Sequence, residues 1–187
     1  SRECTVIDTR LDRQSFLDGH LPGSLFAPLN RVFPTVVGSY ADPALPVYLI
    51  VEPEQVEEAV RALVRIGYDR IAGFAPPALL TGLPRLQRIA QTDFETVKTT
   101  TVDSPWLDVR GATEVAEGKV PGALHVPYTR LGAHLDELPR GAPLQIYCAT
   151  GNRAVYAAAF LERQGFQVAA VTDSFARWQE EGRVAVG

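Results

Sequence analysis

Leu144-Gln145-Ile146-Tyr147-Cys148-Ala149-Thr150-Gly151-Asn152-Arg153-Ala154-Val155-Tyr156-Ala157 carries the chain from an apolar run, through a cysteine and a glycine turn, into a helix-forming segment. A strand that stops at a cysteine and re-enters a helix through a tight turn aims backbone N–H groups and the positive end of the helix dipole at the sulfur. Such a position favours thiolate over thiol, and Arg153 adds a cation at the end of the loop. The same cradle suits a bound anion or a persulfide carried on the sulfur. Cys148 is therefore the candidate nucleophile, and Ala149, Thr150, Gly151, Asn152 and Arg153 are the candidate substrate-binding residues.

Working outward, the chain repeats itself. Val6-Ile7-Asp8-Thr9-Arg10 recurs as Trp106-Leu107-Asp108-Val109-Arg110, and Gly19-His20-Leu21-Pro22-Gly23-Ser24-Leu25 recurs as Gly118-Lys119-Val120-Pro121-Gly122-Ala123-Leu124. Pro46-Val47-Tyr48-Leu49-Ile50-Val51 falls on Pro143-Leu144-Gln145-Ile146-Tyr147-Cys148, and the helices predicted over Glu54–Arg65 and Ala154–Gln164 both stop at a glycine, Gly67 or Gly165. A fixed period of this kind implies two copies of one unit. We place them at residues 1–91 and 92–187, with the threonine-rich stretch Thr92–Ser104, including Phe94-Glu95-Thr96-Val97, as the link that opens the second copy. In each copy short apolar strands alternate with helices, and the last strands are expected over Tyr68–Ala72 and Phe166–Val171. The expected class is α/β, a mainly parallel sheet covered by helices on both faces. In such sheets ligands sit beyond the carboxyl ends of the strands, where Cys148 falls.

Composition narrows the function. The 187 residues are 46% hydrophobic and 21% charged with a formal net charge of −4, which gives no basic footprint for nucleic acid or an acidic membrane. No apolar run is long enough to span a bilayer and no secretory leader is visible, so a cytoplasmic location is expected. The two cysteines, Cys4 and Cys148, make no disulfide framework, and the spacing of His20, His125 and His134 does not suit a metal site. Neither a metal nor a cofactor is expected. The short segment before Val6 and the absence of methionine lead us to expect a chain cut from a longer parent.

Asp108-Val109-Arg110, Glu114, Val120-Pro121-Gly122-Ala123 and Cys148-Ala149-Thr150-Gly151-Asn152-Arg153 together resemble the rhodanese family, and as a tandem pair the resemblance covers nearly the whole chain. It implies two rhodanese-like domains and a sulfurtransferase that moves sulfane sulfur from thiosulfate or a low-molecular-weight thiol persulfide to a nucleophile, through a persulfide on Cys148. It also implies a structural role for Asp108, Arg110 and Glu114. Lys119 departs from the histidine common in the family, which the first copy keeps at His20. In the first copy Val51-Glu52-Pro53-Glu54-Gln55-Val56 replaces the active loop, so that copy is expected to be silent and to orient the second. Ile66–Gly73 and the silent-plus-active order also resemble the tail of fusions with an N-terminal metallo-β-lactamase-fold domain, which implies an upstream domain as partner.

Two alternatives stand beside this reading. Cysteine phosphatases and arsenate reductases use a similar cradle, but with one more residue between cysteine and arginine, which suits a tetrahedral oxyanion. The other alternative is a non-catalytic binding or redox-sensing module of a larger enzyme.

Overall fold

The computed structural model describes residues 3–95 and 104–181. Within the expected link Thr92–Ser104, Thr96, Val97 and the residues up to 103 lie outside the described residues, as do Ser1, Arg2 and 182–187. The chain divides into two compact units, Ser1–Arg88 and Ile89–Gly187.

In the first unit β1 (Thr5–Asp8), α1 (Arg13–Asp18), β2 (Leu25–Phe26), α2 (Phe33–Tyr40), β3 (Val47–Ile50), α3 (Val56–Val64) and β4 (Ile71–Ala75) follow one another. The sheet runs β2-β1-β3-β4 and every pairing is parallel. Helix α1 starts where Asp12 accepts the N–H groups of Gln14 and Ser15 at 3.1 and 3.0 Å, which satisfies donors the helix itself leaves open. The last strand begins at Ile71, later than expected. Tyr68 is buried for another reason: its hydroxyl donates to the Ala41 carbonyl at 2.8 Å. Pro53 opens a short 3-10 turn (Pro53–Gln55), so α3 starts at Val56 and not at Glu54.

Beyond β4, Pro76 and Pro77 lead into another 3-10 turn (Pro77–Leu80). Tyr48 on β3 and Phe74 on β4 stay 44% and 52% exposed. The complete helix cover expected on both sheet faces is therefore absent around these residues.

The second unit holds β5 (Ala90–Thr92), β6 (Trp106–Asp108), α4 (Ala112–Ala116), β7 (Leu124–His125), β8 (Leu144–Tyr147), α5 (Asn152–Arg163), β9 (Val168–Val171) and α6 (Phe175–Glu180), with two 3-10 segments between β7 and β8. Its sheet, β5-β9-β8-β6-β7, is also parallel throughout. Omitting β5, it repeats the strand order of the first unit. The units meet slightly ahead of the 91/92 division read from the repeat, because Ala90–Thr92 pairs with Ala169–Val171. Helix α5 is buried from Ala154 to Leu161 and rests on β8 and β9. Gly165 closes it with φ +83, a conformation that favours glycine. No helix among the described residues is long and apolar enough to cross a membrane.

The second unit's core is aromatic on one face of the sheet. Phe94 is fully buried, stacks on Trp178 at 4.6 Å between centroids, and meets Trp106, Tyr147 and Phe175 at 5.7, 5.6 and 5.9 Å. Both tryptophans of the chain are in this cluster, so tryptophan fluorescence reports on the second unit. Phe94→Ala should destabilise that unit by about 3–5 kcal/mol, since it empties a close-packed site. Denaturant unfolding followed by tryptophan emission checks this, and an unchanged midpoint would contradict the packing described.

Candidate active site

Strand β8 is buried along its length and delivers Cys148, 1% exposed, to the carboxyl end of the sheet. Gly151 has φ +86, which turns the chain so that its N–H donates to the Cys148 sulfur at 3.2 Å. Helix α5 begins at the next residue, which sets its positive end beside the sulfur. The loop is also held from behind: the Ala149 carbonyl accepts the N–H of Phe175, the first residue of α6, at 3.1 Å. Thr150 and Asn152 are exposed, Gly151 is buried, and Ala149 and Arg153 are half-buried.

Arg153 does not stand alone. Its two terminal nitrogens donate to the two carboxylate oxygens of Glu114, each at 2.6 Å, in a fork-on-fork pair. Glu114 is itself fixed, because the Gly111 N–H that precedes α4 donates to its Oε2 at 3.0 Å. The hydrogen bond from Arg153, together with the Gly111 N–H and the arginine charges, holds Glu114 down at about 2 against the opposing effect of burial. Arg153 is shifted upward, first by the Glu114 hydrogen bond, with a contribution from the neighbouring Cys148 sulfur.

A second pair braces the same end of the sheet. Arg110 donates to Asp108 through Nε and Nη2, at 3.0 and 2.7 Å, and to the Gly118 carbonyl at 2.6 Å. Its guanidinium lies over the Phe175 ring at 3.8 Å. Burial opposes the charge of Arg110, but the hydrogen bond and charge of Asp108 more than compensate and raise its pKa. Tyr147, directly before the cysteine, accepts the Val120 N–H at 3.1 Å, and burial followed by the proximity of Asp108 raises its phenol.

The three acidic and basic residues grouped in the sequence reading thus divide. Asp108 and Arg110 form one pair, while Glu114 belongs to Arg153. Tyr147 was not singled out from the sequence; its place next to Cys148 on a buried strand is the signal that could have marked it. The histidines stand apart: His20 is buried on Phe16, His125 lies 3.0 Å from the Arg110 carbonyl, and His134 contacts Glu137 at the surface. Among the described residues no three His, Cys, Asp or Glu side chains group as metal ligands would.

The corresponding place in the first unit keeps the brace and lacks the sulfur. Arg10 pairs with Asp8 at 2.7 Å and reaches the Gly19 carbonyl at 2.8 Å. Val51, fully buried, directly follows β3 as Cys148 directly follows β8. A cleft of about 320 Å³ opens there, with Arg10, Leu11, Asp12, Glu52 and Pro77 in its wall.

The Glu114 clamp has a pH signature. Its folded pKa of about 2 lies below the ordinary glutamate value near 4.3, so its stabilisation is present at neutral pH and is lost as pH falls from about 4.5 through 2. Glu114→Gln should therefore be less stable than the parent at pH 7, and the gap should narrow below pH 4.5. Urea midpoints at pH 7, 4 and 3 check this, and a gap that does not change with pH would remove the clamp's contribution.

Residues 93–181 match the family model described as Rhodanese-like domain. A sulfurtransferase of Allochromatium vinosum is 32% identical over 80 residues, which cover 43% of this chain and 66% of that protein. A tRNA sulfurtransferase of Desulfurococcus amylolyticus is 31% identical over 77 residues, covering 41% of this chain and 15% of its own length. The crystal structure of a rhodanese-related protein from Thermoplasma volcanium superposes with a TM-score of 0.44 at 28% identity, covering 50% of this chain and 91% of that one. The matching segment thus accounts for just under two thirds of the first relative and a small part of the second. Residues 93–181, nearly all of the second unit, are thus similar to the rhodanese-like domain, and sulfurtransferases are among the proteins that this segment resembles.

Proposed function

We propose that this chain is a sulfurtransferase in which Cys148 takes a sulfane sulfur from a small sulfur-bearing anion or thiol persulfide and passes it to a nucleophilic acceptor. The observation that carries this reading is the Gly151 N–H on the Cys148 sulfur at 3.2 Å, at the start of α5. A helix N-terminus stabilises a thiolate and equally the terminal sulfur of a persulfide built on it. Transfer proceeds in two half-reactions, so ping-pong kinetics are expected.

In the same reading the chain is a tandem pair whose first unit is chemically silent. The shared strand order and the Asp8–Arg10 brace support common ancestry of the two units, and Val51 removes the nucleophile. The free thiol suits a reducing compartment such as the cytoplasm. An upstream metallo-β-lactamase-fold domain as partner rests on the sequence resemblance of Ile66–Gly73 alone.

A second reading, a binding or redox-sensing module, is favoured by the near-complete burial of Cys148. Intact mass separates the two. After incubation with thiosulfate or glutathione persulfide and removal of excess donor, the protein should gain one sulfur atom, about 32 Da, as covalent catalysis requires. Cyanide should reverse the gain with release of thiocyanate, and Cys148→Ser should gain nothing. Oxygen addition or a mixed disulfide in place of the sulfur adduct would support redox sensing, and a Cys148→Ser protein with parent-like turnover would overturn the transfer reading.

A further inference from the structure

The loop from Cys148 to Arg153 contains one cation, and that cation is already matched. Arg153 faces Glu114 through two bonds of 2.6 Å, and the next arginine, Arg110, is matched in the same way by Asp108 at 2.7 Å. The remaining loop side chains, Ala149, Thr150 and Asn152, carry no charge. Two arginines and two carboxylates cancel, so among these groups the charge of a Cys148 thiolate is left over. A dianion must approach that sulfur against both the thiolate and the Glu114 carboxylate. A thiol persulfide brings at most one charge to its reacting end.

We infer that Glu114, by closing on Arg153, makes this site select thiol persulfides over thiosulfate as sulfur donor. The inference rests on the sulfur-transfer reading above and deepens it by naming the donor class. The step balances without an added oxidant or reductant. The Cys148 thiolate attacks the outer sulfur of R–S–SH, a new S–S bond forms to Cys148, the old S–S bond breaks, and its electron pair leaves on R–S⁻, which takes up the proton released by the new persulfide. With thiosulfate the same displacement must expel sulfite, a doubly charged leaving group, beside Glu114. The helix N-terminus and the Gly151 N–H assist both reactions, whereas the field of the Arg153 guanidinium is opposed at short range by the Glu114 carboxylate bonded to it, which weakens its help to the second. Glu114 acts here through Arg153 and through its field; it positions and selects, and does not touch the transferred atom.

The test compares kcat/KM for thiosulfate and for glutathione persulfide, with cyanide as acceptor, in the parent protein and in Glu114→Gln. The parent should favour the persulfide. The nearly isosteric Glu114→Gln removes the carboxylate charge and releases Arg153, so the persulfide-to-thiosulfate ratio should fall roughly tenfold, chiefly through a lower KM for thiosulfate. A parent protein that uses thiosulfate at least as well as the persulfide overturns the inference without any variant, which covers the case of a variant that fails to fold. A ratio unchanged in Glu114→Gln, with both donors weakened in parallel, also overturns it and leaves the carboxylate as a structural support only. If neither donor places sulfur on Cys148, the sulfur-transfer reading itself falls; if both do and the ratio does not move, only the donor assignment falls.

Discussion

The buried pair of Asp108 and Arg110 is the interaction on which the second unit's site is built. Both side chains are almost wholly removed from water, a placement that is costly unless every donor and acceptor is used. They are used in several directions at once: Arg110 ties the end of β6 to the Gly118 carbonyl and lies beneath Phe175 of α6. Asp108 adjoins the phenol of Tyr147, whose oxygen in turn accepts from Val120. One ion pair thus connects two strands, the Pro-Gly turn and the final helix at the point where Cys148 leaves the sheet. Removing either partner would leave the other charge buried and unmatched, a loss of about 3–5 kcal/mol by analogy with broken buried pairs.

Comparison of the two units separates frame from chemistry. The first unit repeats the brace through Asp8, Arg10 and the Gly19 carbonyl, and it repeats the parallel strand order. The loop at the sheet's end differs. There a valine replaces the cysteine, a proline begins a 3-10 turn, and Glu52 and Glu54 place negative charge where the second unit places a helix N-terminus and an arginine. The brace and the strand order are held by groups outside that loop.

Much of this was legible in the sequence because it is local or repeated. The Asp-x-Arg pairs, the Pro-Gly turns, the strand ending at Cys148 and the glycine after each main helix are all short-range patterns. Contacts between distant segments were not legible. Ala90-Gln91-Thr92 has neither alternation nor bulk to mark it as a strand; its partner β9 makes it one. Glu114 and Arg153 are far apart in the chain, and nothing in either neighbourhood predicts that α4 brings the carboxylate to the guanidinium. Tyr68 reads as the first residue of a strand because it is aromatic and follows a glycine, yet its hydroxyl is engaged with the Ala41 carbonyl and the strand waits until Ile71.

The bond from the Phe175 N–H to the Ala149 carbonyl bears on the order in which the molecule becomes competent. The cysteine leaves the ribosome well before α6, but its loop lacks this rear support, and Arg110 lacks its aromatic cover, until that helix has docked. In a nascent or partly unfolded chain the cysteine loop is without this support, and the arrangement around Cys148 appears together with the finished aromatic core.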